Sequence, residues 1–371
     1  MVRLPDVEHA IRVLRAIATA PTVPNHEHHA LRAIERALTG AGIATTRDGY
    51  GQVFAHLSSG GAKRPIALVA HTDHPGFEIV EAHGKTGRVR VLGGLPPRVF
   101  VRPIPVIVHH DEDGHPPIRA QLDGFVPGDD AVQNSAGTLA IAAEAPIQAG
   151  LWAVLDVPPF TRDGDELHLR AADDLAGCAM AVLAAQELAR ETRPYDVHLL
   201  FTRAEETGLY GARIAAEDGT IPANAYVISI EASRELPSAM SGQGIVVRAG
   251  DYHNTFSNEA ERALRVGRER LAGEGVPTQR ALLTGGTCEA SAFVRLGYLA
   301  TGMALPNVNY HNVSPDDRLV PEVVRLSDLR SGVALLVEAA VAAAEDSAES
   351  WWPTNRVVPD AVRRLLSRNV R

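Results

Sequence analysis

Lysine and cysteine occur only twice each in this chain, as Lys63, Lys85, Cys178 and Cys288. Arginine supplies nearly all the basic groups, and 36 Lys and Arg against 45 Asp and Glu leave a formal net charge of −9. A balance of that sign repels polyanions, so nucleic acid is excluded as the expected partner. Two cysteines are too few for a disulfide framework and suit a reducing compartment. No apolar run approaches the ~20 residues that a membrane-spanning helix requires; the longest, around Gly332 to Ala344, is rich in alanine. The opening MVRLPDVEHAIRVL carries charges where a secretory signal needs an unbroken apolar segment. The expectation is a soluble, cytoplasmic protein with no membrane partner. No GxSxG elbow occurs and neither cysteine has a partner pattern, which leaves serine and cysteine hydrolase chemistry with little support. Internal repeats and low-complexity tracts are also missing.

What is present is enough apolar material, 45% of 371 residues, for more than one core. Helical spacing of Val7, Ile11, Leu14 and Ile17, then of Leu31, Ile34 and Leu38, predicts helices over residues 6–20 and 24–40. The run Ile66 to Ala70 is continuously apolar, as in a strand covered on both faces, and His71 follows it at once. A helix over Leu175 to Ala189, a strand around Val197 to Phe201, a helix from Leu209 to Ala216 and a strand from Tyr226 to Ile230 continue the alternation. That order predicts an α/β fold with a mixed, mostly parallel central sheet flanked by helices.

Between Phe77 and about Asp165 the texture changes to short Val/Ile-rich segments broken by Gly93-Gly94, Pro96-Pro97 and Pro116-Pro117, the pattern of a small β domain. The expected organisation is a catalytic α/β domain of residues 1–75 and 166–348, an inserted β-rich domain of 76–165, and a C-terminal tail of 349–371. In that scheme Leu167 to Arg170 re-enters the main sheet. Trp351 and Trp352 in the tail suggest docking or an oligomer contact.

The chemistry lies in scattered acids and histidines. Asp73 stands two residues after His71 at a strand end, hence on the same side, where it can orient the imidazole or lie beside a metal-held water. Asp173-Asp174 precedes a helix; alone it reads as an N-cap, but a carboxylate there can also bridge two cations ~3.5 to 4 Å apart. Gly177 would permit close backbone approach behind it. Adjacent Glu205 and Glu206 repel unless something positive lies between them, and a cation would let one ligate while the other handles a proton. Glu231 follows the strand YVISI, and His311 sits in NYHN. Singly, each is an ordinary polar loop or strand end. Together they fall where strand ends converge in an open α/β sheet and supply two ligand sets: His71, Asp173 and Glu231 for one metal, Asp173, Glu206 and His311 for the other. Mixed imidazole and carboxylate ligation makes zinc the default, and cobalt or manganese suit the same set.

The series HTDHPGF, AADDLAGC, FTRAEETGLYGA, IEAS, LLTGGTCEAS and LPNVNYHNVSPDDRLVPE resembles the M42 family of metallo-aminopeptidases, in the clan shared with M20 and M28 enzymes. The resemblance implies that His71, Asp173, Glu206, Glu231 and His311 are metal ligands, Glu205 the general base and Asp73 the acid supporting His71. It further implies a cis peptide between Asp173 and Asp174, two divalent metals, short peptide substrates cleaved from the N-terminus through a metal-bound hydroxide, and a homo-oligomer, with tetrahedral dodecamers common. Glu231 departs from the aspartate usual in aminopeptidase relatives and is commoner in M20 enzymes, so a carboxypeptidase or amide deacylase is the alternative. HTDHPGF and TGGTCEAS depart as well, in substrate-facing loops. A catalytically silent relative with a binding role is the second alternative.

Overall fold

The computed structural model describes residues 2–112, 114–130, 135–345 and 358–368. The chain opens with α1 (Val7–Ala18), α2 (His28–Thr39), β1 (Thr45–Arg47), β2 (Val53–Ser58) and β3 (Ile66–His71). Six strands follow: β4 (Gly76–His83), β5 (Thr86–Leu92), β6 (Ile104–His109), β7 (Ile118–Asp130), β8 (Ser135–Ala143) and β9 (Trp152–Leu155). After β10 (Phe160–Asp163) and β11 (Glu166–Leu169) come α3 (Ala172–Leu188), β12 (Asp196–Thr202), α4 (Tyr210–Glu217), β13 (Tyr226–Arg234) and β14 (Ile245–Gly250). The remainder is α5 (Asn258–Gly273), β15 (Thr278–Leu282), α6 (Glu289–Arg295), β16 (Leu299–Asn307), β17 (Glu322–Arg325), α7 (Leu326–Glu345) and α8 (Asp360–Ser367). The helices expected at the start of the chain form, the first capped by Asp6, whose carboxylate accepts the His9 N–H at 2.8 Å.

The main sheet runs β1-β2-β12-β3-β13-β16-β14-β15. Its centre, β12-β3-β13-β16, is parallel, while β2 joins β12 and β14 joins β16 antiparallel. All six residues of β3 are buried, as a strand with helices on both faces requires. One face packs on α1, α2, α3 and α7 through Leu14, Ile34, Leu68, Met180 and Leu335, and the other on α4 and α6 through Val69, Ala212 and Phe293. Helix α3 is buried almost all round. Gly267 lets α5 approach α7 closely, since a Cβ there would lie 2.8 Å from Leu335 Cδ1.

Strands β4-β5-β8-β7-β6-β9 close into a barrel, every pairing antiparallel, around Phe77, Ile79, Val89, Val106, Leu122 and Ile141. Its seat on the body is tight: a Cβ on Gly76 would lie 2.2 Å from Val23 Cγ1, and the buried Trp152 packs with Val23. The expectation that Leu167 to Arg170 re-enters the main sheet is corrected. Strand β11 pairs instead with β10 and β17 in a separate three-stranded sheet. Alternating Leu167 and Leu169 face the core, but this pattern identifies a half-buried strand, not the partner it chooses.

Among the described residues no helix is long and apolar enough to cross a membrane. Trp351 and Trp352 lie outside the described residues; α8, near them, is exposed throughout. Leu335→Ala empties a fully buried position between α7 and α5. The expected cost is about 2–5 kcal/mol, read as a lower denaturant midpoint with an unchanged slope.

Candidate metal centre

Four central strands run in one direction, so their carboxyl ends form one rim, and the sequence places polar groups just there. Pairing sets His71 at the end of β3 opposite Thr202 at the end of β12. Glu231 lies in β13 opposite Ala304 of β16. His311 follows β16 in a tight turn where Asn309, His311 and Asn312 all have positive φ, a conformation uncommon outside glycine but tolerated by Asn and His. Asp173 enters from the other side, at the non-helical start of α3. The peptide between Asp173 and Asp174 is cis, as expected from the family resemblance.

These side chains converge. His71 Nε2 lies 3.3 Å from Asp173 Oδ1 and 3.8 Å from Glu231 Oε2. His311 Nε2 lies 3.4 Å from Asp173 Oδ2 and 3.1 Å from Glu206 Oε1. Asp173 thus stands between two imidazoles, one on each carboxylate oxygen. Donor atoms of His71, Asp173 and Glu206 all fall within 4.8 Å of one another. Each imidazole is oriented through its other nitrogen: His71 Nδ1–H donates to the Asp73 carbonyl at 3.2 Å and His311 Nδ1–H to the Gly94 carbonyl at 3.0 Å. That leaves both Nε2 atoms facing the shared carboxylate, the tautomer a metal ligand needs.

The electrostatics fit a cationic guest. Asp173 Oδ1, Glu206 Oε1 and His311 Nε2 are buried without a hydrogen-bond partner, a costly arrangement unless an ion completes it. Burial alone pushes the His71 imidazole down, yet the carboxylates of Glu205, Asp173 and Asp73 outweigh it and hold the ring well above the usual histidine range. His311 behaves alike, raised by Glu206 and Asp173 against its burial. Burial pushes Glu231 well above the usual carboxylate range, helped by Asp173 and opposed by His71 and Arg248. Desolvation raises Glu205 in the same way, with Glu231, Glu206 and Asp73 adding and His71 opposing. The raised imidazoles and the unpartnered buried donors together mark a place for positive charge. The residues present could hold two such ions.

Two residues have tasks beyond those expected. The Asp73 carboxylate accepts the backbone N–H groups of Glu205 and Glu206, each at 3.0 Å, and so fixes the turn that presents both glutamates; its nearest approach to the His71 ring is 3.6 Å. Asp174 takes the capping role, accepting the Gly177 N–H at 3.1 Å. A Cβ on Gly177 would lie 2.2 Å from Asp174 Oδ1, so the glycine permits the close approach, though to Asp174 rather than Asp173. Sequence reasoning missed Glu322 of β17, a fully buried acid that accepts the N–H of Asp173 at 3.1 Å and of His311 at 2.8 Å, tying together two of the proposed ligands. It also missed His74, whose Nδ1–H donates to the Asp173 carbonyl at 2.5 Å. The barrel closes one wall: a Cβ on Gly94 would lie 3.2 Å from His311 Cε1, and one on Gly93 3.1 Å from Glu206 Cβ. A cavity of about 590 Å³ opens beside His311, lined by Gly94, Arg98, Arg234 and Tyr310 among others.

An α/β sheet whose parallel strand ends gather paired imidazoles and carboxylates about one buried aspartate defines the class of metallohydrolase folds. Residues 134–317 match the model of the M42 glutamyl aminopeptidase family, and the resemblance read from the motifs is borne out: this chain is related to the M42 peptidases. A curated protein of Acetivibrio thermocellus, whose name assigns it provisionally to the aminopeptidases, is 28% identical over 194 residues, 50% of this chain. The match spans 55%, about half, of that relative's length. The Pyrococcus horikoshii TET1 peptidase, described as assembling into a tetrahedron or a large octahedral shell, superposes with a TM-score of 0.73 at 22% identity over 89% of this chain and 99% of its own. An aminopeptidase from the archaeon Desulfurococcus kamchatkensis gives 0.73 at 22% identity over 95% and 99%. At that identity the likeness establishes the fold.

Metal retention carries two expectations. Glu322→Ala frees the Asp173 and His311 backbones and should weaken binding about 10- to 100-fold in competition with a chelator. Metal entry must also displace protons from His71 and His311, which hold them above the usual histidine range. Affinity therefore rises with pH across that range, and a chelator should strip the protein more readily at pH 6 than at pH 8; equal retention at both would contradict the geometry.

Proposed function

We propose that this chain is a two-metal aminopeptidase removing N-terminal residues from short peptides, with His71, Asp173 and Glu231 holding one ion and Asp173, Glu206 and His311 the other. The observation that carries the reading is the Asp173 carboxylate flanked by imidazoles 3.3 and 3.4 Å from its two oxygens. The family match and the fold likeness support it. Bound divalent ions supply Lewis acidity, polarising the scissile carbonyl and lowering the pKa of a held water toward ~7. Zinc is the first choice by donor set, with cobalt and manganese next.

Glu205 is the proton carrier. Its backbone is pinned by Asp73, and its desolvated carboxyl has a raised affinity for protons, which suits a group that accepts one from water and delivers it to the leaving amine. Asp73 acts as a positioning residue for the glutamate pair. In this reading residues 1–75 and 166–348 form the catalytic body, 76–165 the insert that walls the cleft, and copies of the chain associate as a homo-oligomer in the cytoplasm. Dodecamer formation by a TET1 relative supports the last step.

Glu231 favours one competing reading, cleavage from the carboxyl end or of a blocked amide. A panel of peptides separates the two: N-acetylation should abolish hydrolysis and C-amidation should leave it. Retained turnover of the acetylated set would assign the carboxypeptidase or deacylase activity instead. Glu205→Gln should lower kcat about 10²- to 10⁴-fold with both metals still bound. Wild-type turnover in that variant would remove Glu205 from the chemistry, and no turnover by the metal-loaded wild type on any peptide would leave the binding-only alternative.

A further inference from the structure

We propose that the chain carries a second, separate transition-metal site on the outer part of its main sheet, formed by His56, Asp196 and His198. Strands β2 and β12 are antiparallel there, with His56 directly opposite His198 and Asp196 two residues along the same strand. Period-two alternation sends all three side chains to one face. On that face Phe54 and Leu200 are covered by the α4 and α6 layer, while the polar trio emerges beyond it. Val197 and Leu199, pointing the other way, stay in the core.

Three donor atoms are gathered at one spot. The two imidazoles lie nearly parallel, 4.3 Å between centroids and 14° between planes. His56 Nε2 is 2.7 Å and His198 Nε2 3.6 Å from the same oxygen, Asp196 Oδ1. One donor atom from each residue falls within 4.8 Å of the others, and a cation ~2.0–2.2 Å from each is reached when the two rings turn out of their stack so that both Nε2 lone pairs meet at one point. Burial and the neighbouring His56 push the His198 imidazole down, which leaves it neutral and ready to ligate at pH 7. Two imidazoles and one carboxylate select a borderline ion such as Zn²⁺, Co²⁺ or Ni²⁺ over Ca²⁺ or Mg²⁺, with water filling the open positions.

This site is distinct from the candidate catalytic centre. Thr202, opposite His71, lies four residues beyond His198 along β12, roughly 13 Å at the rise of a strand. A bound ion would cross-link β2 to β12, fastening the β1-β2 edge to the sheet. It requires nothing of the catalytic reading.

The test compares wild type with His56→Ala and His198→Ala, each first saturated with Zn²⁺ and freed of excess ion. Metal analysis should find one Zn²⁺ fewer per chain in either variant, whatever number the other centre holds, and Zn²⁺ should raise the thermal midpoint of wild type more than that of the variants. Both residues are partly exposed, so the variants should fold, and circular dichroism checks this. Anomalous diffraction at the zinc edge should place a peak between the three side chains. Equal metal content in all three proteins, or no peak there, overturns the proposal; peptide hydrolysis equal in all three is the expected result, and its loss in the variants would place these residues in the catalytic centre and overturn the separation.

Discussion

One buried carboxylate, that of Asp173, lies between two imidazoles contributed by strands on either side of β13, and the centre is organised around it. Buried acids gathered this densely are stable only if positive charge sits among them. The surrounding carboxylates raise both His71 and His311, while burial alone would lower them.

Much of the polar framework serves to aim these groups. Asp73 grips the backbone of the two glutamates, Glu322 grips the backbones of Asp173 and His311, and His74 holds the Asp173 carbonyl. Glu289 belongs to the same layer: burial pushes it up to about 7, while Thr202 at the end of β12 and Ser229 within β13 donate to it. The inserted segment contributes by close contact, since Gly93 and Gly94 bring its backbone against Glu206 and His311, where an added Cβ would be tight at 3.1–3.2 Å. A module that read in sequence as an interruption is thereby part of the wall of the cleft.

Legibility differed by residue. His71, Asp173, Glu206, Glu231 and His311, expected as ligands and found converging, were marked in sequence because they stand at or near the end of an apolar strand run or the start of a helix, and such ends converge in a parallel sheet. Glu322 was not, because an isolated acid on a four-residue strand has no local pattern to mark it. Gly93-Gly94 looked like turn punctuation; nothing local says that His311 lies across the gap. His56, Asp196 and His198 lie in two strands far apart in the chain, and their alignment depends on register.

Local pattern therefore marked the opening helices, the apolar strands around Ile66 to Ala70, Val197 to Phe201 and Tyr226 to Ile230, and the residue types that stand at their ends, because apolar periodicity and chain order act over a few residues. Only tertiary structure decided that β11 leaves the main sheet for β10 and β17, that Asp73 spends its carboxylate on two backbone amides, and that a glycine pair from the barrel abuts the centre. Those outcomes depend on register, strand partner choice and close packing between distant segments, and burial energy settles them over the whole chain at once.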